Sequence, residues 1–165
     1  MSTRIQPAPQ KITTFLWFDN KAEEAANFYV SVFKNSRVLN TVHNGEGGPG
    51  PKGSVLTIEF ELDGQRFTGL NGGPQFKFTE AISLVVHCET QEEIDYFWEK
   101  LSADGGEQVQ CGWLKDKFGL SWQVVPNDLP KLLTDSDPQK RERVMSAIMG
   151  MKKLDINGLQ KAANG

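Results

Sequence analysis

The sequence predicts an α+β protein in which one strand–helix–strands pattern is used twice. Three observations carry this. The landmarks of a first helix return 69 positions later: Glu23-Glu24 falls on Glu92-Glu93, Phe28-Tyr29 on Phe97-Trp98, and Val32 on Leu101. Residues 54–70 alternate apolar and polar around Asp63-Gly64, the preferred two-residue hairpin turn. Residues 111–126, CGWLKDKFGLSWQVVP, gather Trp113, Phe118, Trp122 and a cysteine around an uncharged Gln123.

Length and composition bound the class. The chain has 165 residues, 38% hydrophobic and 24% charged, a balance that suits a packed globular protein and argues against disorder. The formal charge is -3 and the pI about 5.4, with no basic patch, which argues against a nucleic-acid partner. No apolar stretch reaches the roughly 18 residues that a bilayer-spanning helix needs, and no secretory leader is visible. The expected compartment is therefore the cytoplasm. There Cys88 and Cys111, the two cysteines, would stay free thiols, and Cys111 reads as a buried inert one.

In order, residues 1–10 carry two prolines and no periodic pattern, and read as a loose arm. Residues 11–18 (KITTFLWF) are β-branched and aromatic, as in a buried strand. Asp19-Asn20 would stop it and cap a helix over 21–33, whose Ala22, Ala25, Ala26, Tyr29, Val32 and Phe33 make one apolar stripe. Glu23 and Glu24 sit where the helix dipole favours negative charge. A strand over 36–43 precedes a glycine-rich segment, 44–53, read as a mobile loop. Pro49 and Pro51 remove backbone donors that a phosphate cradle would use, and no Gly-Lys-Ser/Thr follows. The 54–70 hairpin ends at Asn71-Gly72-Gly73-Pro74.

The pattern then restarts. Residues 81–87 (AISLVVH) form an apolar strand, and Thr90 with Glu93 makes a capping box for a helix to Leu101. The 111–126 stretch reads as a loop that turns at Asp116-Lys117-Phe118-Gly119 and enters a strand over 120–125. Alternation would set Leu120, Trp122 and Val124 on one face, and Ser121, Gln123 and Val125 on the other. A short helical turn over 127–133 and a helix from Pro138 to about Met151 complete the chain, continuing over 152–162. Met145 and Met149 read as core or interface packing.

Several of these pieces together resemble the vicinal-oxygen-chelate superfamily, which includes glyoxalase I, bleomycin-resistance proteins and extradiol dioxygenases. They are ITTFLWFDNKAEEAANFYVSVF, GLNGGPQFKF, SLVVHCETQEEIDYFWEKL, CGWLKDKFGLSWQVVP and MKKLDI. Within the superfamily they resemble the PhnB-like, or 3-demethylubiquinone-9 3-methyltransferase-like, family. The resemblance implies a single glyoxalase-like domain over residues 11–165. It would hold two βαβββ modules, about 11–78 and 80–126, with curled mixed sheets around a cleft, and a helical tail over 127–165. It also implies a homodimer.

Superfamily enzymes hold a divalent metal with His and Glu from the first and last strands of each module. The resemblance places those positions at Thr14, Asn71, Ser83 and Gln123. None is a His, Asp, Glu or Cys, the donors that hard and borderline cations require. The chain is therefore expected to lack the usual metal site, with His43 and His87 as weak candidates for a metal held elsewhere.

The favoured reading is a protein that binds a small molecule through Thr14, Phe15, Asn71, Ser83, Trp113, Phe118 and Gln123. An apolar pocket with a few oriented polar groups suits a planar or hydrophobic ligand. An enzyme of the superfamily using a divalent metal at His43, His87 or Glu59 is the alternative. The methyl transfer in the family name finds no glycine-rich cofactor turn after a strand. A dimeric interaction protein without a ligand is a third reading.

Overall fold

The computed structural model describes residues 10–165. The arm expected over residues 1–10 thus lies, except for Gln10, outside the described residues. The chain divides into two units, one ending at Lys77 and one spanning Phe78–Gly165.

The first unit runs β1 (Thr14–Phe18), α1 (Ala22–Val32), β2 (Arg37–His43), β3 (Val55–Leu62) and β4 (Gln65–Asn71). Its sheet has the order β1-β4-β3-β2, parallel between β1 and β4 and antiparallel elsewhere. Of the expected apolar stripe of α1, Ala22, Ala25, Ala26, Tyr29 and Val32 are buried, while Phe33 is the half-buried residue just past the helix end. Tyr29 stacks on Phe60 at 6.1 Å, and Phe60 on Phe67 at 5.5 Å. Gly69 lets the helix come this close, since a Cβ there would stand 3.3 Å from Ala22 Cβ and Ile58 Cγ2.

The start of α1 differs from the sequence expectation. Neither Asp19 nor Asn20 caps it; Lys21 is the N-cap residue, with no side-chain cap bond. Asn71, at the end of β4, does the work from across the fold. Its Oδ1 accepts from the Ala22 amide at 2.8 Å, and its Nδ2 donates to the Val55 carbonyl at 3.0 Å. Asp63 and Gly64 both have positive φ, as the tight hairpin turn requires.

The segment expected to be mobile is tied down by Asn44, which is buried. Its backbone N–H donates to Ser54 O, and its O accepts from Gly53 N. Its side chain donates to Ser54 Oγ at 2.9 Å. Gly48 and Gly50 pass so close that a Cβ on either would lie within 2.8 Å of the Asn44 amide.

The second unit repeats the order: β5 (Ser83–Cys88), α2 (Gln91–Ser102), β6 (Glu107–Gln108), β7 (Trp113–Lys115) and β8 (Ser121–Pro126). Its sheet order, β5-β8-β7-β6, matches the first. β7 lies where the sequence reads as loop, and β6 in a stretch given no element, because the two are only three and two residues long. Thr90 caps α2 by accepting from Glu93 N, while Glu93 Oε2 accepts from Glu89 N, one residue earlier than in the usual box.

The tail belongs to the second unit as α3 (Leu129–Leu133), α4 (Pro138–Met149) and α5 (Ile156–Asn164). The expected long terminal helix is two helices, because Gly150 ends α4 and Asp155 caps α5. Val144, Ile148, Leu154, Leu159 and Ala163 pack with Val125 of β8. Met149 is exposed and Met145 nearly half so, which places neither in that core.

The turn between β7 and β8 is built on Asp116, 2% exposed. Its Oδ1 accepts from Phe118 N at 2.8 Å and Leu120 N at 3.1 Å, and its Oδ2 from Trp122 Nε1 at 2.9 Å. Asp116→Ala is expected to cost about 3 kcal/mol or more, since it orphans buried donors to a carboxylate. Asn71→Ala, which strips the α1 start, should cost about 1–2 kcal/mol. Urea unfolding followed by circular dichroism reads both; a loss below about 0.5 kcal/mol in either variant would contradict the assigned role.

Candidate functional site

Strand alternation divides the second sheet into two faces. Leu84, Val86 and Cys88 of β5, Trp122 and Val124 of β8, and Leu114 of β7 share the side that α2 covers with Ile94, Trp98 and Leu101. The other side carries two rows in register. One is Val85–Gln123–Trp113, the other Ser83–Ser121–Lys115. Gln123 Nε2 donates to Ser83 Oγ at 2.9 Å, so these two predicted site residues meet. Trp113 lies across from Gln123 on the same face.

Lys115 forms an ion pair with Glu80 and a longer one, at 3.9 Å, with Glu107. The hydrogen bond to Glu80 raises the Lys115 pKa, and the same bond lowers that of Glu80. Beside this row lies a cavity of about 360 Å³, bounded by Glu80, the 109–111 segment, Trp113, Lys115 and Ser121. Ser121 is fully buried, and its Oγ has no hydrogen-bond partner.

The other predicted residues sit elsewhere. Phe118 is on the Asp116 turn, its ring 5.5 Å from the Lys117 ammonium. Thr14 is in register with Phe67, and Asn71 with Phe18, on the side of the first sheet that α1 covers. Phe15 is on the opposite side, 58% exposed, in register with Thr68. His43 ends β2 and His87 lies near the end of β5; both are exposed. Among the described residues, no group of three or more His, Cys, Asp or Glu is placed to hold a metal ion.

The 69-position shift holds for the helices and fails for the strands. Ala25, Tyr29 and Val32 match Ile94, Trp98 and Leu101, all buried. But three residues, Asp19 to Lys21, join β1 to α1, whereas two, Glu89 and Thr90, join β5 to α2. The strands therefore match at a shift of 70, with Leu16 and Phe18 on Val86 and Cys88. One residue of slip exchanges the faces. Thr14 then matches Leu84 instead of Ser83. With Phe15 paired to Thr68 and Val85 to Gln123, the first-unit counterpart of Gln123 is Thr68, not Asn71. Thr68, Lys115, Ser121 and Glu80 are what the sequence reading left out of the site. A strand assignment for residues 113–115 would have brought Lys115 into it by alternation.

With this geometry established, similarity identifies the class. The fold recurs in solved structures of low sequence identity. It is seen in protein PA1353 of Pseudomonas aeruginosa (16% identity, 71% of this chain and 97% of that one, TM-score 0.59). It is seen again in the fosfomycin resistance protein FosX of Listeria monocytogenes, solved with Mn(II) and sulfate (15% identity, 76% and 96%, TM-score 0.51). Residues 10–125 match the family described as 3-demethylubiquinone-9 3-methyltransferase. A PhnB protein of Bacillus cereus that carries the same methyltransferase label is 43% identical over 71% of this chain and 99% of its own, with a TM-score of 0.65. The chain belongs to this PhnB-like family. No curated protein matches it. Among the described residues, no helix is long and apolar enough to cross a membrane.

The two thiols differ. Burial, with the Glu93 carboxylate adding to it, pushes Cys88 up to about 12. Cys111, expected to be buried, is half-buried instead, with positive φ and its Sγ 3.6 Å from Met149 Sδ. A disulfide reagent at pH 8 should modify one thiol quickly in the folded protein, and Cys111→Ser should remove that reaction; a fast reaction surviving in the variant would contradict the assignment. Because Cys88 stays protonated when folded but ionises earlier when unfolded, stability should fall as pH rises from about 9 towards 12, by up to about 1.4 kcal/mol per pH unit. Cys88→Ala should flatten that fall.

Proposed function

We propose that the protein binds a small organic molecule on the face of its second sheet opposite α2, with Ser83, Trp113 and Gln123 in contact with it. The observation that carries this is the meeting of Gln123 and Ser83 at 2.9 Å, with Trp113 across from Gln123. An amide and a hydroxyl offer donor and acceptor groups without charge, and an indole offers a flat apolar surface. This combination orients a planar, mainly apolar ligand.

A resident metal at the superfamily position fits these residues poorly. A divalent cation needs carboxylate, imidazole or thiolate donors that offset its charge. Here Gln123 is neutral and spends an N–H on Ser83, and the corresponding first-unit position holds Thr68. No step of the proposed function runs through a metal.

The uncharged fluorescent probe N-phenyl-1-naphthylamine tests the reading. It should bind saturably at one site per chain, with energy transfer from tryptophan. Trp113→Ala and Gln123→Leu should each weaken it by about fivefold or more, while leaving the unfolding midpoint within about 1 °C. Non-saturating uptake, or uptake indifferent to both variants, would remove this face as the site.

A further inference from the structure

The cavity beside β7 has features that narrow the ligand class. Its volume, about 360 Å³, is within the roughly 300–1,000 Å³ of small-molecule sites. Much of its wall is apolar, with Val109 and Trp113 among its lining. Two polar groups interrupt that wall from neighbouring strands. Lys115 and Ser121 are directly paired across β7 and β8, so their side chains leave the same face about 5 Å apart at Cβ.

Ser121 is the unusual member. A buried hydroxyl without a partner costs free energy, and nearly all such groups are satisfied in native proteins. Its Oγ is wholly buried and makes no hydrogen bond, and the residue is among those that border the cavity. Lys115 has two carboxylate neighbours, Glu107 at 3.9 Å and a nearer, replaceable one, Glu80. Glu80 precedes β5 in a segment without regular structure, and its side chain is 61% exposed. Its carboxylate can return to water at little cost, since exposed ion pairs are weak.

We propose that the cavity takes a planar aromatic acid, whose carboxylate displaces Glu80 from Lys115 and accepts a hydrogen bond from the Ser121 hydroxyl. The ring then lies along Trp113 and Val109. An ammonium and a hydroxyl a cross-strand neighbour apart reach the two oxygens of one carboxylate, and charge-assisted bonds of this kind are the strong ones. Glu80 holds the lysine until the ligand arrives and competes with it afterwards. The inference rests on the small-molecule reading above and adds the acid group, its two partners and the competing side chain.

The test uses the full-length protein loaded with N-phenyl-1-naphthylamine and two competitors of one shape, 2-naphthoate and 2-naphthalenemethanol. The acid should displace the probe at a concentration about tenfold lower than the alcohol. Lys115→Gln and Ser121→Ala should each shrink that ratio towards one. Glu80→Gln, which leaves the sheet untouched, should tighten 2-naphthoate by several-fold without changing the alcohol. Equal displacement by acid and alcohol in the wild type, or an unchanged acid affinity in Glu80→Gln, would overturn the acid class while leaving the small-molecule reading in place. Failure of the probe itself to bind saturably would overturn both.

Discussion

The second unit depends on one buried carboxylate. Asp116 gathers two backbone amides and the Trp122 indole N–H onto its two oxygens. A carboxylate 2% exposed is tolerable only because those donors replace water. The bonds do more than close a turn. They fix where β8 begins relative to β7, hence which residues of β8 face α2. Trp122 is held on the helix side, so Ser121 and Gln123 must take the other. The whole candidate site follows from this register, because a slip of one residue would bury Gln123 and expose Trp122.

The same fold in the first unit presents different chemistry. Its sheet has the same strand order and the same parallel pair. Yet its β1–α1 connection is one residue longer, and an amide from β4 holds the helix start in place of a capping side chain. Asn71 is thereby committed to structure. Phe15 and Thr68 occupy the places that Val85 and Gln123 hold in the second unit. The two units share a scaffold, while the faces opposite their helices carry different residues.

Much of the architecture was legible in the sequence, where local signals agree with tertiary packing. The 54–70 alternation with Asp63-Gly64, the Thr90–Glu93 cap and the helix stripes all appear where periodicity puts them. The alternation of β8 correctly paired Ser121 with Gln123 on one face. Three things were hidden. Strands of two and three residues carry too little pattern to read, which concealed β7 and with it Lys115. A single-residue difference in a connection is invisible to a repeat shift counted on helices, which placed Thr14 beside Ser83. The fixing of the 44–53 segment rests on one asparagine reaching Ser54, ten residues away, against the usual meaning of so many glycines.

On the proposed reading, Ser83 and Gln123 present neutral hydrogen-bonding groups beside Trp113, and Lys115 with Ser121 adds a place for an acid. A crystal structure of the protein soaked with 2-naphthoate tests that reading most directly. It predicts the naphthyl ring against Trp113, with the carboxylate within hydrogen-bonding distance of Ser121 Oγ and Lys115 Nζ and with Glu80 turned away. A ligand bound away from the β7–β8 face, or a carboxylate bound with the Lys115–Glu80 pair intact and Ser121 still unpartnered, would contradict it.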